Sequence, residues 1–237
     1  MRALRLLVTR PEPDAQRTAA ALRTLGHDVL VMPMLRVETL ADVNLGRGPW
    51  VGVVMTSANA ARAIAAHQQF ATVRALPAFV VGERTREVAQ AAGFTDVISA
   101  DGDTPALGQL VAARVSPSGP LLYLAGEQRT GDLEQMLQAR GFGLHIAVIY
   151  RAMAVSELSR AAKTALAAGE LDGILHFSKR SAEALVSSAK AAGILIQVIA
   201  LRHYCLSPQV AAALAGHAAD VVAAPHPSEQ ALLDLIG

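Results

Sequence analysis

Short apolar runs alternate with longer Ala-rich segments whose apolar residues recur at helical spacing, and this alternation continues along the whole chain. Leu6 to Thr9 reads as a buried strand that Pro11-Glu12-Pro13 breaks. Asp14 then stands where a helix cap is expected, before a helix that carries Leu22 and Leu25 on one face and stops at Gly26. Val29 to Met32 predicts the next strand, closed by Pro33. Val51 to Met55 with a helix from Asn59 repeats the unit, as does Ala78 to Val81 with a helix from Thr85 to Ala92 closed by Gly93. Asp96 to Ser99 predicts one more strand, and Thr104 the cap of a helix through Val111. The second half replays the order, with strands at Leu121 to Leu124, Leu144 to Tyr150, Gly173 to Phe177, Gln197 to Leu201 and Val221 to Ala223. A helix ends near Gly141 and Ser228 caps the last one. Strand, helix, strand with short connections predicts an α/β fold of parallel sheets, in which ligands collect beyond the carboxyl ends of the strands.

The chain also contains itself twice. Leu6 through Arg36 aligns without a gap on Leu121 through Arg151 at a constant offset of 115 (121 − 6), bringing Leu22 onto Leu137, Gly26 onto Gly141 and Arg36 onto Arg151. Val53 through Ala61 aligns on Ile174 through Ala182 at an offset of 121 (174 − 53). Two similar lobes are implied, and a ligand between them becomes the first functional expectation. Met34 to Leu40 and Val148 to Val155, equivalent segments of the two repeats, prolong their strands beyond a normal domain width. Paired, they would form a two-stranded ribbon joining the lobes; the alternative is ordinary loop continuation.

Composition agrees with two domains. The 237 residues suit two α/β units of about 100 to 120 residues each. At 52% hydrophobic and only 4% aromatic residues, the cores must be built from Ala, Leu, Val and Ile, the usual filling of covered parallel sheets. A net charge of +1 gives no global pull towards nucleic acid or a membrane. The single Cys205 excludes an internal disulfide and suits a reducing compartment. Met1 to Arg5 runs straight into a strand without a signal-peptide core, and no apolar run approaches the roughly 18 residues of a span, so a cytoplasmic protein is expected.

Six motifs in order carry a resemblance: Leu7-Val8-Thr9-Arg10-Pro11, Val54-Met55-Thr56-Ser57-Ala58-Asn59-Ala60, Val80-Val81-Gly82-Glu83-Arg84-Thr85, Leu124-Ala125-Gly126-Glu127-Gln128-Arg129, Val148-Ile149-Tyr150-Arg151 and Phe177-Ser178. In order and spacing they resemble the uroporphyrinogen-III synthase family over nearly the whole chain. The resemblance implies a cofactor-free hydro-lyase that closes linear hydroxymethylbilane to uroporphyrinogen III, inverting the last pyrrole ring through a spiro intermediate. It also implies two doubly wound parallel-sheet lobes joined by a two-stranded ladder. Lobe 1 would comprise residues 1–36 plus 154–237 and lobe 2 residues 40–150, with linker strands near 34–40 and 148–155. The repeat alone would have cut the chain into sequential halves.

That chemistry asks chiefly for orientation of a flexible polycarboxylate, worth roughly 7 to 11 kcal/mol. Helix N-termini with small polar residues suit carboxylates, because free N–H groups and the positive dipole end face the anion. Thr56-Ser57-Ala58-Asn59, Gly82 to Thr85, Ala125-Gly126-Glu127 and Phe177-Ser178-Lys179 are expected to be four such termini. The candidate binding residues are Thr9, Arg10, Thr56, Ser57, Asn59, Gly82, Thr85, Gly126, Glu127, Arg129, Ser178, Lys179 and Ser207. Ser57, Asn59, Thr85 and Ser178 serve equally as plain helix caps, and Arg10, Arg129 and Lys179 as solvated charges. The resemblance places the family's tyrosine at Tyr150, the candidate for proton transfer at the departing hydroxyl; its other reading is hinge packing, and its repeat partner is Leu35. Cys205-Leu206-Ser207-Pro208 departs from the family's Gly and Thr at the counterpart of Gly82 to Thr85, with Ser207 as the replacement hydroxyl.

The histidines, among them His145, His176, His203 and His226, sit singly in the sequence without an i, i+4 pair or nearby Cys ligands, so no metal site is expected. Neither a dinucleotide fingerprint nor a P-loop is present. The expected partner is the tetrapyrrole, with transient contact to the preceding pathway enzyme, no nucleic acid or membrane, and a monomeric state. The alternative is a two-lobed module that binds a small anion without converting it.

Overall fold

The computed structural model describes residues 2–236 and divides into two compact units. A split unit joins the chain up to Arg36 with the chain from Met153 onward, and a continuous unit comprises Val37–Ala152. The split unit opens with β1 (Arg5–Val8), α1 (Asp14–Thr24) and β2 (Asp28–Val31). β3 (Leu35–Thr39) then carries the chain into the continuous unit, built from β4 (Gly52–Met55), α2 (Ala58–Ala65), α3 (Phe70–Val73), β5 (Ala78–Val80), α4 (Glu83–Ala92), β6 (Val97–Ser99), α5 (Thr104–Arg114), β7 (Leu121–Gly126) and α6 (Asp132–Ala139). β8 (Leu144–Ala154) leads back to the split unit, completed by α7 (Arg160–Ala167), β9 (Gly173–His176), α8 (Lys179–Ala191), α9 (Leu195–Ile199), β10 (Arg202–Cys205), α10 (Pro208–Ala211) with a 3-10 turn at Ala212–Leu214, β11 (Val221–Ala223) and α11 (Glu229–Leu233).

Among the described residues, one sheet has the order β11-β10-β9-β1-β2 and the other β3-β8-β7-β4-β5-β6. Read from β6, the second repeats the first strand for strand, with β3 added at the far edge. The paired strands within each five-stranded set run parallel. β3 lies against β8 in the opposite sense, since the Leu40 N–H donates to Ile149 O at 2.8 Å and the Val155 N–H to Met34 O at 2.9 Å.

Burial on both faces explains the apolar runs. In β7, Leu122 and Leu124 pack against Ala60, Ala61 and Ile64 of α2, while Leu121, Tyr123 and Ala125 face Leu107 and Val111 of α5 and Leu133 and Leu137 of α6. Successive strand residues point to opposite faces, so a strand covered twice must be apolar at every position.

Several local expectations are corrected. The β-branched run Gln197 to Leu201 belongs to α9 and a turn, and the strand is Arg202–Cys205. Only Val198 of α9 is buried and Ile196 is 77% exposed, so the run has one covered face rather than two. Asp14 lies inside the first turn of α1 instead of capping it; Pro13 is the N-cap, and the Asp14 carboxylate sits 3.7 Å from Arg10. Asp103 rather than Thr104 caps α5, accepting the Ala106 N–H at 3.0 Å. Leu22 is buried, whereas Leu25, one residue past the helix, is 48% exposed. Gly26 and Gly93 do end their helices, at φ of 89° and 112°, where a side chain is strained.

Candidate active site

In the continuous unit the carboxyl ends of β4, β7 and β8 gather polar groups on both faces of the sheet. Thr56 follows β4, and its Oγ1 shares a hydrogen bond with the Tyr123 hydroxyl at 3.2 Å. Tyr123 is otherwise buried, which raises its phenol above the ordinary range, partly offset by that hydrogen bond. Ser57 caps α2 by accepting the Asn59 N–H at 3.2 Å, and the Asn59 side-chain Oδ1 accepts from Arg62 at 3.0 Å. Gly82 caps α4 with no side chain to bond the first turn, and a Cβ there would meet nothing within 4 Å. Thr85 is buried in that first turn.

The register between β7 and β8 slips by one residue at the tip of the sheet: Ala125 pairs with Val148, but Gly126 pairs with Tyr150. Tyr150 therefore packs on the same face as Ala147 and Ile149, with its ring over Gly126. The Glu127 N–H donates to Tyr150 O at 2.9 Å. Arg129 braces the loop, donating to Glu134 at 2.7 Å and to the Gly126 and Glu127 carbonyls at 3.4 Å. Gly126 and Glu127 are thus strand end and loop rather than a helix N-terminus, because α6 begins at Asp132 after Gly131.

In the split unit the equivalent loops are tied up internally. The Thr9 hydroxyl donates to Leu175 O at 2.8 Å and is fully buried. Arg10 lies 4.0 Å above the Phe177 ring, with Glu229 at 3.3 Å and Asp14 at 3.7 Å, and donates to Thr18 at 3.0 Å. Burial lowers its pKa against the pull of Glu229 and Asp14. Arg17 also pairs with Glu229. Ser178 caps α8, accepting the Ser181 N–H at 3.1 Å and bonding the Ser181 hydroxyl at 2.8 Å. Lys179 is exposed, 3.7 Å from Glu183. Ser207 caps α10, accepting the Val210 N–H at 3.3 Å. It occupies the position of Gly82, one residue beyond Leu206 as Gly82 is beyond Val81, so buried Val210 stands where the continuous unit has Thr85.

His176 and His203 are not solitary. They are fully buried on neighbouring strands, stacked with centroids 5.2 Å apart and bonded Nε2 to Nδ1 at 2.9 Å. His203 Nε2 faces the Val198 carbonyl at 3.1 Å and must carry the proton, so His203 Nδ1 accepts from His176 Nε2–H. That leaves His176 Nδ1 as a buried acceptor without a partner. Burial, followed by the neighbouring ring, pushes the His176 pKa down to about 3, and burial lowers His203 as well. The sequence could not show this pair, since strand adjacency brings together residues 27 apart. Tyr123, Glu134 and Glu229 were likewise invisible as site-shaping groups.

The structure thus brings Thr56 to Tyr123 and Gly126, Glu127 and Arg129 to Tyr150, and separately Thr9 and Arg10 to the β9 loop. The sequence profile of the family described as uroporphyrinogen-III synthase HemD matches residues 16–234. The chain belongs to the uroporphyrinogen-III synthase family. No curated protein sequence gives a match. Among solved structures, uroporphyrinogen-III synthetase from Helicobacter pylori 26695 is similar with a TM-score of 0.67 at 16% identity, over 100% of this chain and 98% of that one. A mutant uroporphyrinogen III synthase from the extremely thermophilic bacterium Thermus thermophilus gives a TM-score of 0.57 at 15% identity, over 99% of this chain and 97% of that one. At these identities the likeness is one of fold. Uroporphyrinogen-III synthases are hydro-lyases acting on a tetrapyrrole. Among the described residues no helix is long and apolar enough to cross a membrane, and no three His, Cys, Asp or Glu side chains are grouped as metal ligands would be.

Proposed function

We propose that the chain closes linear hydroxymethylbilane to uroporphyrinogen III with Tyr150 at the departing hydroxyl. The family match over residues 16–234 carries the reaction, and the ring of Tyr150 above Gly126 carries the choice of residue. Tyr150 donates its proton as the terminal C–O bond breaks, so the hydroxyl leaves as water and, opposite the phenolate, an electrophilic azafulvenium cation remains. The substituted carbon of the last ring attacks it to give the spiro intermediate. One bond of that intermediate then breaks, the inverted ring recloses, and the proton released on rearomatisation restores the phenol. No strong nucleophile is needed; the protein orients the chain and excludes closure at the unsubstituted carbon.

Substrate carboxylates are held by main-chain N–H groups and hydroxyls at the first turns of α2, α4 and α8, with Arg129 steadying the β7 loop. Gly82, with open space at its Cα, and the hydroxyls of Thr56 and Ser57 are the best placed of these. Arg10 and Thr9 act indirectly by fixing the β9 loop, since Thr9 is fully buried and Arg10 is enclosed by Phe177, Glu229 and Asp14, whereas Thr56 and Ser57 are only half-buried. The same reading makes the protein a cytoplasmic monomer that meets the enzyme supplying hydroxymethylbilane only transiently. Incubation with freshly generated hydroxymethylbilane, followed by oxidation and separation of isomers, tests the reaction. Uroporphyrin III in excess of the spontaneous isomer I is expected; isomer I alone, at the uncatalysed rate, overturns it.

A further inference from the structure

We propose that Gly126 is the seat that aims Tyr150, a positioning residue rather than a contact for the substrate. A Cβ at Gly126 would stand 2.7 Å from Tyr150 Cζ, 2.8 Å from its hydroxyl and 3.0 Å from Cε2. Such distances are inside van der Waals contact, so any other residue displaces the ring. The backbone itself does not ask for glycine, because Gly126 is absent from the positive-φ positions. The need is for space.

Two further features point the same way. The one-residue slip between β7 and β8 at this point turns Tyr150 onto the face it shares with Ile149, which is also the face that a Cβ of Gly126 would enter. Without the slip, strict alternation would send Tyr150 to the opposite face of the sheet. The Glu127 N–H to Tyr150 O bond of 2.9 Å fastens the slipped register immediately beyond it.

A contrast within the chain separates function from packing. At the amino ends of the strands, a Cβ at Gly52 would stand 3.0 Å from Phe79, and one at Gly173 would stand 2.7 Å from Tyr204. These are the same glycine–aromatic pair in the two repeats, a device of the common fold. Gly126 and Tyr150 have Pro11 and Leu35 as repeat partners, so their pair exists once and at the carboxyl end of the sheet. What both units need for folding should recur in both. This one does not.

The inference rests on the catalytic reading of Tyr150, and the test keeps the two apart. Steady-state kinetics are measured for Gly126→Ala, Tyr150→Phe, Tyr150→Ala and the Gly126→Ala/Tyr150→Ala double variant. In parallel, ring-labelled tyrosine NMR reports on Tyr123, Tyr150 and Tyr204, with the Tyr150 signal assigned by its loss in Tyr150→Phe. A ring displaced by about 1 Å should lower kcat roughly 10²-fold with KM within about twofold, and only the Tyr150 resonance should move. In the Tyr150→Ala background the second substitution should change kcat by less than about twofold, since the ring it acts through is gone. An unmoved Tyr150 resonance overturns the inference. So does an equal loss from Gly126→Ala with or without the tyrosine ring, which would put Gly126 against the substrate. If Gly126→Ala alone fails to fold, a folded double variant supports the seat and an unfolded one overturns it. Wild-type turnover by Tyr150→Phe would sink the catalytic reading of Tyr150, while the resonance still judges the seat.

Discussion

The two units share a strand order and differ in what fills equivalent places. Where the continuous unit has Met55 and Ala78, the split unit has the His176–His203 pair, each histidine holding the same register against its neighbours. Where the continuous unit leaves α4 without a side-chain cap at Gly82, the split unit caps α10 with Ser207. Where the continuous unit carries Tyr150 over a glycine, the split unit has Leu35, and its Arg10 is held by Phe177, Glu229 and Asp14. The difference teaches that one fold, used twice, writes different polar groups into equivalent places at the carboxyl ends of its strands, and each unit binds its own set in a network of its own.

The sharpest way to break that contrast is at Tyr150. Tyr150→Phe removes a hydroxyl and almost no packing, so turnover should fall by about 10² or more while the melting temperature stays near wild type. Unchanged kcat would return the residue to packing and make the two units alike. The histidine pair gives the next largest effect. Both rings are neutral when folded, with pKa values depressed below the free value of 6.5, so their contribution is present above about pH 6.5 and lost as pH falls towards about 3. Asp220, near His203, acts in the other direction, favouring the charged ring. Denaturant unfolding at about pH 7.5 and about pH 5 should show a loss of roughly 2 kcal/mol at the lower pH. Installing the other unit's own solution, His176→Met with His203→Ala, should abolish most of that pH dependence; an identical slope in the variant removes the pair as its cause.

Much of this was legible beforehand, and the reasons for what was not are physical. The strands at Leu6, Val53 and Leu121 announced themselves because burial on both faces demands unbroken apolar sequence. β10 hid because His203 bonds both His176 on the next strand and the Val198 carbonyl, so a buried strand could be written with polar letters. The run at Leu195 misled because β-branched residues there cover one face of a short helix. Tyr150 was visible only through the family's motif. The register slip that aims it leaves no signature in the sequence, and neither does the space above Gly126.

Smaller effects sharpen the comparison further. Ser57 and Ser178 cap equivalent helices, Ser57 by accepting the N–H two residues on and Ser178 the N–H three residues on, so Ser57→Ala and Ser178→Ala should each cost about 1 kcal/mol in chemical denaturation. If only one does, the repeat has diverged in cap strength as well. The smallest shift is expected from Gly82→Ser, which copies Ser207: a gain of a few tenths of a kcal/mol in stability. Its KM should nevertheless rise roughly threefold, about one neutral hydrogen bond, because the new hydroxyl occupies the first turn of α4. A lower KM would show that the open glycine has no part in binding.

The crossing of the two repeats also sets a timetable for the ribosome. β1 lies at the interior of its sheet with Leu6 paired to Gly173, so one side of the first strand made stays unpaired until some 170 residues have followed it. At translation speeds of about 5 to 20 residues per second, that wait is on the order of ten seconds or more. The continuous unit, whose strands emerge as a single block, can be complete before then. A nascent chain therefore carries one finished body and a waiting hairpin-like fragment, β1–α1–β2, whose exposed edge needs shielding from other chains. Ribosome-bound chains arrested near residue 190, which leaves residues 40–150 outside the exit tunnel, should resist protease over residues 40–150 and be cut within the first 36.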